Sequence, residues 1–372
     1  MIGTRPEAIK MIPVLRALDD RGFVQQLLVT GQHVGLQAPI AASLSRIDLG
    51  IDPRAQSLEE MRDCIRSAIC GHLAPAAPDL VLVQGDTTSA LAGALAAADC
   101  GVPLGHVEAG LRSFDLRQPF PEEGNRIAID RLSDLLFAPA AAAAANLAAE
   151  PEIRGEVIVT GNTGIDALFA ARDAAGPPAP PGDRKLILVT CHRRENRGAA
   201  MRRICGALRR LVAEFPLAVI LPLHLNRHVR EAMEAALGGV AHIDLIGPVG
   251  HYDMVRLMLG SWIILTDSGG LQEEGAALGR PVLVLRNVTE RGEAADNIEL
   301  VGTEEAAIVA AVARLLDEPD RYERMSRPSL AFGDGRAAPR IAEAVAAFLL
   351  ARDMTIRNET GHGAGLETRQ LA

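Results

Sequence analysis

The feature that most limits the possible folds is a repeated alternation. Short, near-continuously apolar runs take turns with longer amphipathic stretches along almost the whole chain. The runs are 24–30, 79–84, 102–107, 135–138 and 156–160, and then 185–190, 217–222, 242–246, 261–266 and 281–285. Such runs read as strands buried on both faces. Between them lie segments of helical length, including 58–73, 89–98, 199–215 and 271–278. Repeated βα units make parallel sheets joined by right-handed crossovers.

The chain has 372 residues, which suits two such domains. Gly176-Pro-Pro-Ala-Pro-Pro-Gly-Asp183 separates the two strand series. Its four prolines can neither continue a helix nor pair in a central strand. The segment reads as a stiff connector between domains, with a surface loop inside one domain as the alternative. Ala140–Ala149 reads as a plain helix, Pro339–Leu350 as a last amphipathic helix, and Asp353–Ala372 as a disordered tail.

Composition narrows the function classes. The formal charge of −9 argues against a polyanion-binding surface and so against nucleic acid. One Trp, two Tyr and eight Phe leave an aliphatic core and little ring stacking for a ligand. Five cysteines, an odd number with no C-x-x-C, suit reduced thiols in a cytoplasm better than a disulfide frame. No secretory signal and no membrane-spanning run is expected.

Chemistry-bearing residues gather at strand ends, where open α/β sheets bind their ligands. Trp262-Ile-Ile-Leu-Thr-Asp-Ser-Gly-Gly-Leu-Gln-Glu-Glu274 runs from a strand through Ser268-Gly269-Gly270 into a helix. Two glycines admit a ligand to the backbone, and a helix start favours phosphate. Glu274, one turn inside, can reach ribose hydroxyls. The plainer reading makes Ser268 an ordinary N-cap. Asp86, in Gln84-Gly-Asp-Thr-Thr-Ser89, follows another strand, and capping by Asp86 or Thr87 is its plainer reading. His106 and Glu108 stand two apart at a third strand end. Glu122 and Glu123 open a helix, where acidic residues commonly serve the dipole. Convergent carboxylates are the arrangement that lets an acid and a base coexist at neutral pH. In the second half, His192 stands beside Arg193 and Arg194, His224 follows a strand, and Thr289-Glu-Arg291 follows the last one. For His224 alone a hydrogen-bonded structural histidine is the alternative.

Taken in order, G-T-R-P-E-A-I-K, Q-G-D-T-T-S, H-V-E-A-G-L-R, P-E-E-x-N-R, H-R-R-E-N, H-x-N, T-D-S-G-G-x-Q-E-E and T-E-R span residues 3–291. The set resembles the non-hydrolysing UDP-N-acetylglucosamine 2-epimerase family. The resemblance implies the glycosyltransferase-B type of α/β fold, with two Rossmann-like parallel-sheet domains facing across a cleft. The implied spans are 1–165, 166–336, a helix over 337–352 crossing back to the first domain, and the tail 353–372. It implies interconversion of UDP-GlcNAc and UDP-ManNAc by elimination and re-addition of UDP, through a 2-acetamidoglucal. Asp86, Glu108, Glu122 and His192 would be catalytic. Arg5, Lys10, Arg126, His224, Met254, Ser268, Gly269, Gly270, Glu274 and Arg291 would bind the substrate or its UDP. Gln32, His33 and Arg193 would contribute to a second, activating site. No cofactor or metal is implied, and the expected partners are a UDP-sugar and a second copy of the chain. The family commonly serves surface polysaccharide synthesis.

The sequence departs from the family pattern at several places. Only Met1 and Ile2 precede G-T-R-P-E, where the family has a full first strand. Val34-Gly35-Leu36 replaces polar and Met-Leu residues, Arg227 and Gly292 replace prolines, and Met254 stands where an aromatic often meets uracil. Three other readings share these motifs: a 2-epimerase for another UDP-2-acetamido sugar, a glycosyltransferase of the same fold, and a nucleotide-sugar binder whose chemistry is impaired by the shortened first strand.

Overall fold

A computed structural model describes residues 1–32, 44–51, 57–176, 182–191, 193, 196, 198–223, 227–287 and 295–360, apart from the side chains of 228 and 354–360. These residues form two compact units, one made of Met1–Thr163 with Arg336–Ala372, the other of Gly164–Gly335. Among them no helix is long and apolar enough to cross a membrane.

The first unit holds strands β1 (Gln26–Val29), β2 (Ser45–Asp48), β3 (Val81–Gln84), β4 (Leu104–Val107), β5 (Leu135–Ala138) and β6 (Glu156–Val159). Its helices are α1 (Arg5–Asp19), α2 (Leu58–Ala76), α3 (Thr88–Asp99), α4 (Glu122–Leu132) and α5 (Ala141–Ala148). β3, β4, β5 and β6 pair in that order, all parallel, and β1 pairs with β2. Between these groups lies the start of the chain. Ile2 is bridged to Val29 in parallel, with its N–H donating to the Leu28 carbonyl at 3.0 Å and its carbonyl accepting from Thr30 at 3.0 Å. The Met1 amine donates to the Leu82 carbonyl at 2.8 Å. Met1 and Ile2 thus stand between β1 and β3. Ile2 is buried in the same cluster as Leu27, Val107, Leu135 and Phe137.

Local chemistry explains the elements. Thr4 caps α1 in a capping box with Glu7, and Pro6 occupies its first turn. Ser57 and Glu60 do the same for α2. α3 is nearly all small residues, with Ala92, Ala94, Ala96 and Ala97 buried, so it lies close against the sheet. β5 is Leu-Leu-Phe-Ala with every residue buried, as a central parallel strand requires. β2 escaped the sequence reading because Ser-Arg-Ile-Asp shows no apolar run. It is an exposed edge strand.

The second unit carries β7 (Lys185–Thr190), β8 (Leu217–Pro222), β9 (Ile243–Ile246), β10 (Ile263–Thr266), β11 (Val282–Val284) and β12 (Ile298–Leu300). Its helices are α6 (Thr163–Ala175), α7 (Ala199–Glu214), α8 (Arg227–Leu237), α9 (His251–Gly260), α10 (Gly269–Ala277), α11 (Glu305–Asp317) and α12 (Pro319–Met325). The strand order is β12-β11-β10-β7-β8-β9, a doubly wound sheet whose order reverses between β7 and β10. Ile165, Leu168 and Ala171 of α6 pack with Leu188, Ile264 and Val282 of this sheet. The division therefore falls one helix before the proline-rich segment, because burial of α6 and not proline content sets it. Residues 177–181 of that segment lie outside the described residues.

The last helix, α13 (Ala337–Thr360), returns to the first unit. Its Ala338, Ile341, Ala342 and Val345 join Met11, Val14 and Leu18 of α1 in one cluster. The helix runs on through 353–360, which corrects the expectation of a tail from Asp353. Residues 361–372 lie outside the described residues.

Candidate active site

In the first unit the strand order reverses where Met1–Ile2 meets β3, so Gly3-Thr4 and Gly85-Asp86 flank the switch point. Backbones approach closely here. A Cβ on Gly3 would fall 2.0 Å from Ser89 Oγ and 2.7 Å from Thr30 Oγ1. The Glu7 carboxylate turns back on the start of α1, accepting from the Gly3 and Thr4 N–H groups and from Thr87 Oγ1 at 2.5 Å. G-T-R-P-E is therefore a buried clasp between α1 and the β3–α3 turn, with Arg5 left exposed at the helix start.

Thr87 is the N-cap of α3, its hydroxyl accepting from Ala90 N at 3.1 Å. That leaves Asp86 with a different task. Asp86 Oδ2 accepts from Arg126 Nη2 at 2.5 Å and Nε at 3.1 Å, and its carbonyl accepts from Asn125 Nδ2 at 2.8 Å. On the neighbouring strand, Glu108 follows β4 directly. Its Oε2 takes Lys10 Nζ and Gln84 Nε2. Glu108 sits at φ +72. A non-glycine residue held there costs on the order of 1–3 kcal/mol and persists where surrounding structure over-determines it. Glu122 opens α4, and among the described residues its Oε2 is buried without a hydrogen-bond partner. Asp86 and Glu108 thus leave adjacent parallel strands, about 5 Å apart, and Arg126 ties α4 to the first of them.

Five residues without an assigned role in the sequence analysis hold this arrangement: Glu123, Asp130, His106, Arg112 and Gly110. Glu123, only 1% exposed, accepts from the Ser113 and Phe114 N–H groups at 2.9 and 3.0 Å and from Arg126 Nη1 at 3.1 Å. Asp130, seven residues along the same helix, is fully buried with His106 and Arg112. The spacing 123, 126, 130 places Glu123, Arg126 and Asp130 on one face of α4, a helical signal that runs from P-E-E-x-N-R to four residues beyond it. Gly110 stands at φ +81, and a Cβ there would fall 2.3 Å from the Ala143 carbonyl. The glycine of H-V-E-A-G thus lets the loop pass against α5.

In the second unit, the ends of β7 and β10 flank the strand-order reversal. Thr190 and Thr266 hydroxyls are 2.6 Å apart. Asp267 is fully buried and accepts from the Arg193 N–H and from Asn196 Nδ2, both at 2.9 Å, while Asn196 also donates to the Leu285 carbonyl. Asp267 and Asn196 stand inside T-D-S-G-G-x-Q-E-E and H-R-R-E-N, where residue type alone does not show their roles. They lock the loop after β7 to the start of α10. Ser268 occupies the N-cap of α10, yet its hydroxyl makes no cap bond. The capping reading therefore fails for the Ser268 hydroxyl, and among the described residues Gly269 and Gly270 open the helix without a cap bond from it. Ser268→Ala should leave unfolding free energy within about 0.5 kcal/mol, where a capping serine costs about 1 kcal/mol. Urea unfolding checks it.

Glu274 lies half-buried on α10, and Met254 is half-buried on α9 against the Leu188–Ile264 cluster. Gln32 accepts from Ser89 Oγ at 2.7 Å, beside the first switch point. His33, His192, His224 and Arg291 lie outside the described residues. All five cysteines are free. Burial pushes the Cys205 and Cys70 thiols to about 11, and burial with the nearby Asp267 charge pushes Cys191 up further. Such thiols are poor nucleophiles.

A family model described as UDP-N-acetylglucosamine 2-epimerase matches residues 16–346. The chain belongs to this family. It is 43% identical over 364 residues to the UDP-N-acetylglucosamine 2-epimerase of Escherichia coli K12, covering 93% of this chain and 97% of that protein. It is 42% identical over 353 residues to the Bacillus subtilis protein of the same name, covering 92% and 93%. The Neisseria meningitidis UDP-GlcNAc 2-epimerase, solved bound to UDP-GlcNAc, superposes with a TM-score of 0.82 at 38% identity, covering 93% of this chain and 98% of that one. The fold of this chain, with its parallel α/β units, is thus shared with that solved epimerase, as the motif order implied.

Proposed function

We propose that the chain interconverts UDP-GlcNAc and UDP-ManNAc by eliminating UDP and adding it back to the opposite face of a 2-acetamidoglucal. The observation that carries this reading is the placing of Asp86 and Glu108 at the ends of adjacent parallel strands, with Arg126 of α4, the helix that Glu122 opens, bound to Asp86, in a chain of this family. A weakly acidic C2 proton needs a carboxylate base on one face and an acid on the other. Asp86 and Glu108 hold cationic partners in Arg126 and Lys10, so each carboxylate is held in place by a cation. Elimination also leaves a diphosphate. The start of α10 supplies N–H groups and a positive dipole end for it. His192 and Arg291 belong to the UDP side of the same proposal by their motif positions, with Arg5 and, on the ribose, Glu274, whereas Lys10, Arg126, His224 and Met254 belong to the wider substrate-binding set.

The finer parts of the reading are a homodimer, a cytoplasmic location that five free thiols suit, and a second UDP-sugar site using Gln32, His33 and Arg193. Incubation with UDP-GlcNAc in D₂O tests the reaction. UDP-ManNAc carrying deuterium at C2 is the expected product. UDP-GlcNAc that binds but keeps its C2 proton would favour a binder, and transfer to an acceptor without C2 exchange would favour a glycosyltransferase.

A further inference from the structure

We propose that His106 is a positioning residue of the active site, an imidazolium that donates from both ring nitrogens and so sets the backbone from which Asp86 and Glu108 project. His106 lies on β4, fully buried. Its Nε2 is 2.8 Å from the Gly85 carbonyl, and its Nδ1 is 2.6 Å from Asp130 Oδ1. A carbonyl oxygen only accepts, and so does an ionised carboxylate. A neutral ring has a single N–H, so one of these two contacts would bring a lone pair against an oxygen.

The competing arrangement moves the proton to Asp130. Its surroundings oppose that. Asp130 Oδ2 takes the Arg112 guanidinium at 2.7 Å and the Gly110 N–H at 3.2 Å, both of which favour the charged carboxylate. Arg112, 2% exposed, is itself held by Glu150 at 2.6 Å. Two cations and two carboxylates then balance inside the unit, the condition under which buried charge is tolerated. Facing His106 from β3, α4 and the following loop, the described groups are the Gly85 carbonyl, Asp130 and Arg112.

The consequence is geometric. Gly85 stands at φ +68 and directly precedes Asp86, so holding its carbonyl holds the turn that delivers Asp86. The same ring sits two residues before Glu108, and Asp130 also pins Gly110 two residues beyond it. Both candidate carboxylates are thereby referred to one buried ion pair.

What Asp86 and Glu108 do rests on the proposed epimerisation, whereas the state of the ring is read without turnover. In long-range ¹H–¹⁵N spectra of the ¹⁵N-histidine-labelled full chain near neutral pH, with His106 assigned by its loss in His106→Gln, both ring nitrogens are expected to carry protons. A neutral-tautomer pattern overturns the proposal. Should His106→Gln not fold, sequential assignment of the wild-type chain through its backbone resonances identifies the His106 ring, and its nitrogen pattern still decides. In the folded variant, a glutamine satisfies only one of the two acceptors, and kcat is expected to fall roughly a hundredfold, with KM within about threefold of wild type. Unchanged kcat, or a raised KM with kcat retained, overturns the positioning role. If the wild-type chain itself exchanges no C2 proton, the epimerase reading fails, and the nitrogen pattern still stands or falls by itself.

Discussion

Asp86→Asn is expected to lower kcat by about 10²–10⁴, the range for losing a positioned acid or base, while affinity for UDP stays unchanged. Asparagine keeps the size and one carbonyl oxygen, so Arg126 retains an acceptor. The helix start is not at risk, because Thr87 and not Asp86 caps α3. The substitution therefore removes charge and basicity and little else. Deuterium incorporation at C2 should fall with turnover, and calorimetry with UDP should match wild type, since the helix start assigned to UDP lies on a different sheet. An Asn variant with full activity would end the role assigned to Asp86. Lost activity with lost UDP binding would point instead to a damaged fold.

Asp130→Ala is expected to destabilise the chain by about 3–5 kcal/mol, the usual cost of leaving a buried charge without its partner. The substitution strips His106 and Arg112 of a carboxylate in a region where none of the three is exposed beyond 2%. The deficit should depend on pH in a defined direction. Burial alone would raise the Asp130 carboxyl, but His106 and Arg112 outweigh it and hold that carboxyl below the usual range. A carboxyl lowered by folding contributes stability that is fully present above its unfolded value near 3.9. That contribution is lost as pH falls through the folded value. The gap between wild type and variant in urea unfolding should be widest at neutral pH and close below about pH 4. A gap that stays constant down the acid limb would show that the carboxylate charge plays no part.

Much of this protein was readable from residue order. β5, β7 and β8 fall on the very bounds that their apolar runs suggest, and β3, β4 and β6 fall within a few residues of theirs. Strands buried on both faces cannot hide their composition. β2 and β12 were not readable, because an edge strand with one solvated face need not be apolar. The proline-rich segment misled for a related reason. Proline marks where backbone cannot continue, but a domain ends where burial changes partners, and α6 buries Ile165 and Leu168 in the second unit.

The site divides the same way. Motif order identified the family and named Asp86, Glu108 and Glu122, since a reaction at carbon needs carboxylates wherever the fold puts them. Which acidic residue of Pro121-Glu122-Glu123 is available and which is consumed could not be read from two adjacent glutamates. That depends on the direction each leaves α4, with Glu123 buried on Ser113, Phe114 and Arg126 and Glu122 Oε2 without a partner among the described residues. Ser268 looks like a cap by type and position, and only its side-chain geometry shows that its hydroxyl makes no cap bond. Sequence by itself determined the parallel α/β class, the family and the residue types for the chemistry, because periodicity and residue spacing are local properties of the chain. The tertiary structure alone decided which polar groups are spent on holding the site and which remain for a ligand, because burial and hydrogen-bond partners are set by residues tens of positions apart.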